Sequence, residues 1–165
     1  MSENYIVING KKAELTPEQL KALGLEKEIN PFERVKKWQS YWFISRFGTV
    51  VLEDEECTTV DNNLYNAANY CTDKEMMQQR ALHETLDRLL WRYSMEHGGS
   101  EINWSDDTEK KYQIMHNHHA CEWIVAHNIY YQMFGTPYFH TKETAENAIK
   151  EIVEPFMAEH PDFKL

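Results

Sequence analysis

The strongest constraint on the fold is a helix-opening motif that occurs twice. Tyr70-Cys71-Thr72-Asp73-Lys74-Glu75 and Tyr138-Phe139-His140-Thr141-Lys142-Glu143 each run tyrosine, a residue suited to burial, a capping pair, then Lys-Glu. The two copies lie 68 residues apart. Each follows a stretch that reads as a β-hairpin. Tyr41–Ser45 and Thr49–Leu52 flank a turn in which Gly48 suits the positive-φ position, and Lys111–Met115 and Glu122–Ala126 are joined near Asn117-His118-His119. A repeated strand–strand–helix unit is the simplest account. Its alternative is that two hairpin-to-helix junctions converged on one capping chemistry.

The first helix of the repeat is expected over about 73–97. Leu82, Leu86, Leu89 and Tyr93 fall on one helical face, and Gly98-Gly99 ends the run. The second runs through Ala145, Ala148, Ile149, Ile152 and Val153, with Pro155 expected to limit it. Between the first hairpin and the long helix lies an acidic stretch, Glu53-Asp54-Glu55-Glu56 then Asp61-Asn62-Asn63, which reads as a turn-rich loop.

Ahead of the repeat stands a third small unit. Tyr5–Ile8 and Lys11–Leu15 flank Asn9-Gly10, a pair suited to a two-residue hairpin turn that needs φ > 0 twice. Thr16-Pro17-Glu18-Gln19 then supplies a capping box with proline at the first helical position. Leu20 and Leu23 give this helix an apolar face, and Gly24 suits a left-handed cap. The fold expected is therefore α+β: two ββα units preceded by a β-hairpin–helix appendage. Residues 1–25 form the appendage, 26–31 a linker ending in Asn30-Pro31, and 32–165 the main domain, with pseudo-repeats over 38–99 and 110–160.

Composition narrows the function classes. The 165 residues are 42% hydrophobic and 13% aromatic, enough to build a core. Three cysteines in no framework spacing, no secretory leader and no long apolar run point to a reducing, cytoplasmic setting without direct membrane binding. Net charge is −10, and residues 1–37 carry +1 of it, which leaves −11 on the rest. A phosphate backbone repels such a body, so direct nucleic-acid binding is not expected.

Motifs for chemistry are few. His116, His118 and Cys121 are weak metal candidates, because no second ligand pair has zinc spacing, and a polar hairpin tip is the simpler reading. His83 and Asp87 sit one helical turn apart, as do Glu84 and Arg88; i,i+4 pairs on a solvated face are the plain explanation. No phosphate-cradling glycine loop or nucleophile elbow is present. No catalytic residue and no cofactor is expected, and the chain reads as a binding protein rather than an enzyme. The residues expected to meet a partner are Glu53, Asp54, Glu55, Glu56, Asp61, Glu84, Asp87 and Arg88.

Two stretches carry a family resemblance: Tyr41-Trp42-Phe43-Ile44 through Gly48 to Tyr65-Asn66, Asn69–Lys74 and Arg80–Leu86, and the helix start Phe139, Thr141-Lys142-Glu143, Ala145-Glu146, Ala148. They resemble a family of uncharacterised small proteins encoded by phages, prophages and mobile elements of Firmicutes, gut Clostridia especially. Such a resemblance implies an accessory role. With the acidic body, it suggests an inhibitor of a host defence nuclease: an anti-CRISPR-type protein that meets a Cas nuclease such as Cas9, or its guide complex, by competing for basic, phosphate-binding surfaces. The alternatives are a phage structural or assembly protein that forms homo-oligomers, and a metal-dependent enzyme working at the His116–Cys121 tip.

Overall fold

The computed structural model describes residues 5–8, 11–23 and 30–164. The chain divides into two compact units, Met1–Glu33 and Arg34–Leu165.

In the smaller unit, β1 (Tyr5–Ile8) pairs antiparallel with β2 (Lys11–Glu14), and α1 (Pro17–Ala22) follows. The capping box is formed: the Thr16 N–H donates to Gln19 Oε1 at 2.9 Å, and the Gln19 N–H donates to Thr16 Oγ1 at 3.3 Å. Leu20 is half-buried, while Leu23 stands exposed, so the apolar face is narrower than its spacing suggests. The expected Asn9-Gly10 turn, the Gly24 cap and linker residues 26–29 lie outside the described residues.

The larger unit is α+β and repeats itself. β3 (Ser40–Ile44) and β4 (Val50–Asp54) form one antiparallel hairpin, β5 (Lys111–Asn117) and β6 (Glu122–Asn128) another. The repeated motif adds a one-residue third strand to each. Trp42 and Cys71 exchange both backbone hydrogen bonds, at 2.6 and 2.9 Å; Tyr112 and Phe139 do the same, at 3.0 and 2.7 Å. Cys71 and Phe139 are wholly buried, and the helix begins three residues later in both copies.

Those helices start on side-chain caps. Asp73 accepts from the Met76 N–H ahead of α3 (Lys74–Glu96), and Thr141 Oγ1 accepts from the Thr144 N–H ahead of α4 (Lys142–Ala148). Each such cap is worth about 1 kcal/mol. Gly98, at φ 86°, ends α3 in the left-handed region that a side chain disfavours.

α3 serves both hairpins. Met77 and Ala81 face the first, in a cluster with Ile44 and Cys71. Leu86, Leu90 and Tyr93 face the second unit, with Phe139, Ala145, Ala148 and Val153. Leu82 and Leu89 flank this core and are only partly buried, so the stripe turns slightly from the one expected. Leu90 and Ala81 complete it because a 3.6-residue period drifts over six turns.

Three local expectations are corrected. The acidic stretch is not a loop throughout: β4 carries Glu53 and Asp54, and Thr59–Asn66 forms a helix, α2. Thr58 and Asp61 make its reciprocal capping box, a Thr-x-x-Asp signal present in the sequence. The second hairpin turns at 118–121, one residue later than expected, because β5 holds its pairing through Asn117. Finally, the last helix passes Pro155. Ile149–Val153 winds in π register, with the Glu154 N–H donating to the Ile149 carbonyl, and α5 (Glu154–Glu159) then starts with proline in its first turn. A proline there removes no needed donor.

Candidate functional site

The expected acidic surface splits in two. Glu53, Asp54 and Glu56 are exposed, and no described cation pairs with them. Ser40 Oγ donates to Asp54 at 2.6 Å. Glu55 and Asp61 turn inward instead, at 0% and 3% exposure. The assignment of these two to a partner surface is therefore corrected.

Glu55 receives a bidentate pair from Arg34, with Nε at 2.9 Å and Nη2 at 2.8 Å. The Tyr70 hydroxyl donates to it at 3.0 Å and the Cys57 N–H at 2.8 Å. Asp61 receives the Tyr41 hydroxyl at 2.6 Å, the Thr58 N–H and Oγ1 both at 2.8 Å, and the Glu56 N–H at 3.2 Å. Tyr41 and Tyr70 stack at 3.9 Å between the two carboxylates.

The electrostatics follow. Arg34 holds the Glu55 carboxyl below its usual range, against the cost of burial. The Tyr41 hydroxyl bond, with the Thr58 and Glu56 donors, holds Asp61 down to about 2. Burial, then the Glu55 bond, keeps Tyr70 protonated, pushed up to about 12. No buried side-chain polar atom of this cluster lacks a hydrogen-bond partner, and a satisfied buried network rigidifies a fold. It anchors α2 and the chain around Arg34 to the first hairpin. Arg34, Tyr41 and Tyr70 had no signal in the sequence for this cluster, because Arg34 meets Glu55 at a separation of 21 positions.

On α3, Glu84 is already engaged. Its Oε1 takes Arg80 Nε at 2.9 Å, and its Oε2 faces Arg88 Nη1 at 3.5 Å. Asp87 is different. Though itself exposed, it borders an open cleft of about 280 Å³ lined by Leu86, Leu90, Ile114, Trp123, Phe139 and the turn Gly135-Thr136-Pro137. Burial against these apolar walls raises the Asp87 carboxyl, with His83 and Arg88 opposing. No described residue hydrogen-bonds to it or forms an ion pair with it. His83 lines the same cavity, yet its Nε2 lies 2.9 Å from the Lys164 carbonyl and its ring meets Phe163. A groove of about 380 Å³ continues outward between Arg88, Trp91 and the same turn. Next to the turn, Tyr130, Tyr131, Met133 and Phe134 project into solvent, Phe134 completely.

At the tip of the second hairpin, the His116 and His118 rings lie 4.8 Å apart, and Cys121 Sγ contacts the His118 carbonyl. No three of His, Cys, Asp or Glu converge to hold a metal ion among the described residues. No described helix is long and apolar enough to cross a membrane.

Neither a family model, nor a curated protein, nor a solved structure matches this chain.

Proposed function

We propose that this chain is a non-catalytic binding protein that inhibits a basic host defence nuclease, of the Cas type, through its acidic surface. One observation carries the reading. Glu53, Asp54 and Glu56 remain exposed within four residues of chain and no described cation forms an ion pair with them, whereas Glu55 and Asp61 of the same stretch are taken up inside the fold. Uncompensated like charges repel one another, and a basic partner relieves that repulsion while steering its own approach.

The test is inhibition and binding of a guide-loaded Cas nuclease at graded salt. Wild-type protein should bind without turnover, more weakly as salt rises. The triple reversal Glu53→Lys, Asp54→Lys, Glu56→Lys should weaken binding by roughly tenfold or more with the fold intact. Unchanged affinity in the triple variant, or a nuclease left fully active at saturation, refutes the reading.

A second reading has its own observation. Tyr130, Tyr131, Met133 and Phe134 form an exposed apolar segment, which suits self-association in a phage structural or assembly protein. Light scattering decides it: a monomer at high concentration removes this alternative.

A further inference from the structure

We propose that the face of α3 carrying Glu75, Gln79 and His83 is a binding site for an extended protein segment in which an aromatic residue is followed by a basic one. The chain's own residues 161–164 occupy it, and a partner segment of the same pattern takes their place. The inference goes beyond the acidic-surface reading and does not depend on it.

The evidence begins with how α3 holds these residues. The Gln79 side-chain amide brackets Phe163: its Nε2 donates to the Asp162 carbonyl at 2.9 Å, and its Oε1 accepts from the Lys164 N–H at 2.8 Å. One turn along, His83 Nε2 donates to the Lys164 carbonyl at 2.9 Å. Two side chains at i and i+4 of one helix thus read three backbone groups. A helix interior has no free backbone groups to offer an extended chain, and Gln79 supplies the pair of bonds that a neighbouring strand would make. In strand-like peptide recognition, main-chain bonds give affinity and side-chain pockets give selectivity.

The pockets specify the sequence. Phe163 is 7% exposed, with its ring edge-on to His83 at 4.5 Å and to Phe156 at 5.6 Å, in a cluster with Leu86 and Leu90. Lys164 Nζ pairs with Glu75, and Asp73 adds to the same negative field. The site therefore takes a flat apolar side chain and then a cation. An acidic residue in the second position would meet two carboxylates.

Two observations separate this docking from ordinary core packing. Residues 161–164 lie outside the described helices and strands, and apart from the Phe163 ring their hold on α3 is at the surface: the Gln79 and His83 bonds are exposed, and the Glu75 and Lys164 side chains are each 69% exposed. Release gives up one ring's burial and exposed polar bonds, and it returns the conformational freedom of four residues, which are opposing terms of similar size. The groove is also longer than its occupant. Open clefts of about 440 Å³ and 730 Å³ flank it, reaching Gly48, Thr49 and Val50 on one side and Lys74 on the other. A longer partner segment gains contacts there.

The experiment is an amide NMR titration of the full chain with the blocked peptide Gly-Pro-Asp-Phe-Lys-Gly and with two variants of it, alanine for phenylalanine and glutamate for lysine. The parent peptide should shift Gln79, His83 and Leu86, and should move the chain's own Phe163 and Lys164 amides toward their free positions. Each variant peptide should bind roughly tenfold or more weakly. Phe163→Ala removes the anchor of the tethered competitor, so it should tighten the parent peptide by roughly tenfold or more. Adding Gln79→Ala to Phe163→Ala should reverse that gain.

Wild type that does not respond at millimolar peptide, or that responds equally to the alanine peptide, overturns the proposal. So does a natively folded Phe163→Ala chain with wild-type affinity, since the peptide then lies elsewhere. If Phe163→Ala loses the native spectrum, the wild-type titration with the three peptides decides by the same outcomes. Wild-type dimers that the peptide dissociates identify a second copy as the occupant and overturn the separate partner.

Discussion

Replacing Asp61 by asparagine should destabilise the larger unit strongly, because this carboxylate is a structural anchor. Four donors converge on its two oxygens: the Tyr41 hydroxyl, the Thr58 N–H, the Thr58 hydroxyl and the Glu56 N–H. Asparagine replaces one oxygen with a donor, so at least one of these groups meets a donor instead of an acceptor. The remaining bonds lose charge assistance. The size of the effect follows from proton linkage. Native structure holds Asp61 at about 2, against 3.8 for the free side chain. That difference is worth about 2 kcal/mol of stability.

The sign is fixed by the depressed value. The contribution is complete above pH 4 and is lost as pH falls through about 2. Asp61→Asn should therefore cost about 2–3 kcal/mol at pH 7, or roughly 6–10 °C in Tm for a unit of this size. Urea unfolding followed by tryptophan fluorescence, at steps from pH 7 to pH 2, measures both quantities. The gap between wild type and variant should narrow steadily below pH 4. A variant within about 0.5 kcal/mol of wild type at pH 7 would refute the reasoning. So would a gap that stays constant into the acid range.

Other consequences are quicker to check. Cys57 and Cys121 are exposed, whereas Cys71 is buried and its thiol is pushed up by that burial, so a thiol reagent should label two cysteines rapidly and the third only on unfolding. Phe139→Ala should cost about 3–5 kcal/mol, because the wholly buried ring belongs to the core between α3 and the second hairpin; thermal melts report it, and a loss below about 1 kcal/mol contradicts that packing. Gly99→Ala brings a Cβ against Ser94 Oγ and within 2.7 Å of the Ser94 carbonyl oxygen, and should lower Tm by several degrees through overpacking. Removing the Asp87 charge, whose partial burial raises its carboxyl, works in the opposite direction. Asp87→Asn should be slightly more stable than wild type at pH 7, with the difference vanishing in acid as the raised native carboxyl takes up its proton first.

Much of the local architecture was legible from residue order alone. Helix periodicity, the caps at Thr16, Asp73 and Thr141, the stop at Gly98 and the duplicated Tyr-to-Glu junction all act through neighbours within one or two turns of chain. Such short-range chemistry is written in consecutive letters. The α2 helix is equally legible through the Thr58 and Asp61 capping box, within a run of acids that as letters also suits a solvated loop.

The site was less accessible. A strand turns alternate residues to opposite sides, and Glu53 to Glu56 look alike as letters; only Glu55 meets Arg34 and Tyr70, both remote in sequence. Asp87 likewise resembles Glu84 on the same helix. What separates them is that Glu84 finds two arginines one turn away on either side, whereas Asp87 faces a wall built by β5, β6 and a turn nearly fifty residues on. Sequence by itself determined the α+β class, the repeated unit and a net charge of −10. Tertiary structure alone decided which of those charges are spent inside the fold and which face outward, because burial and pairing depend on segments that meet only once the chain has folded.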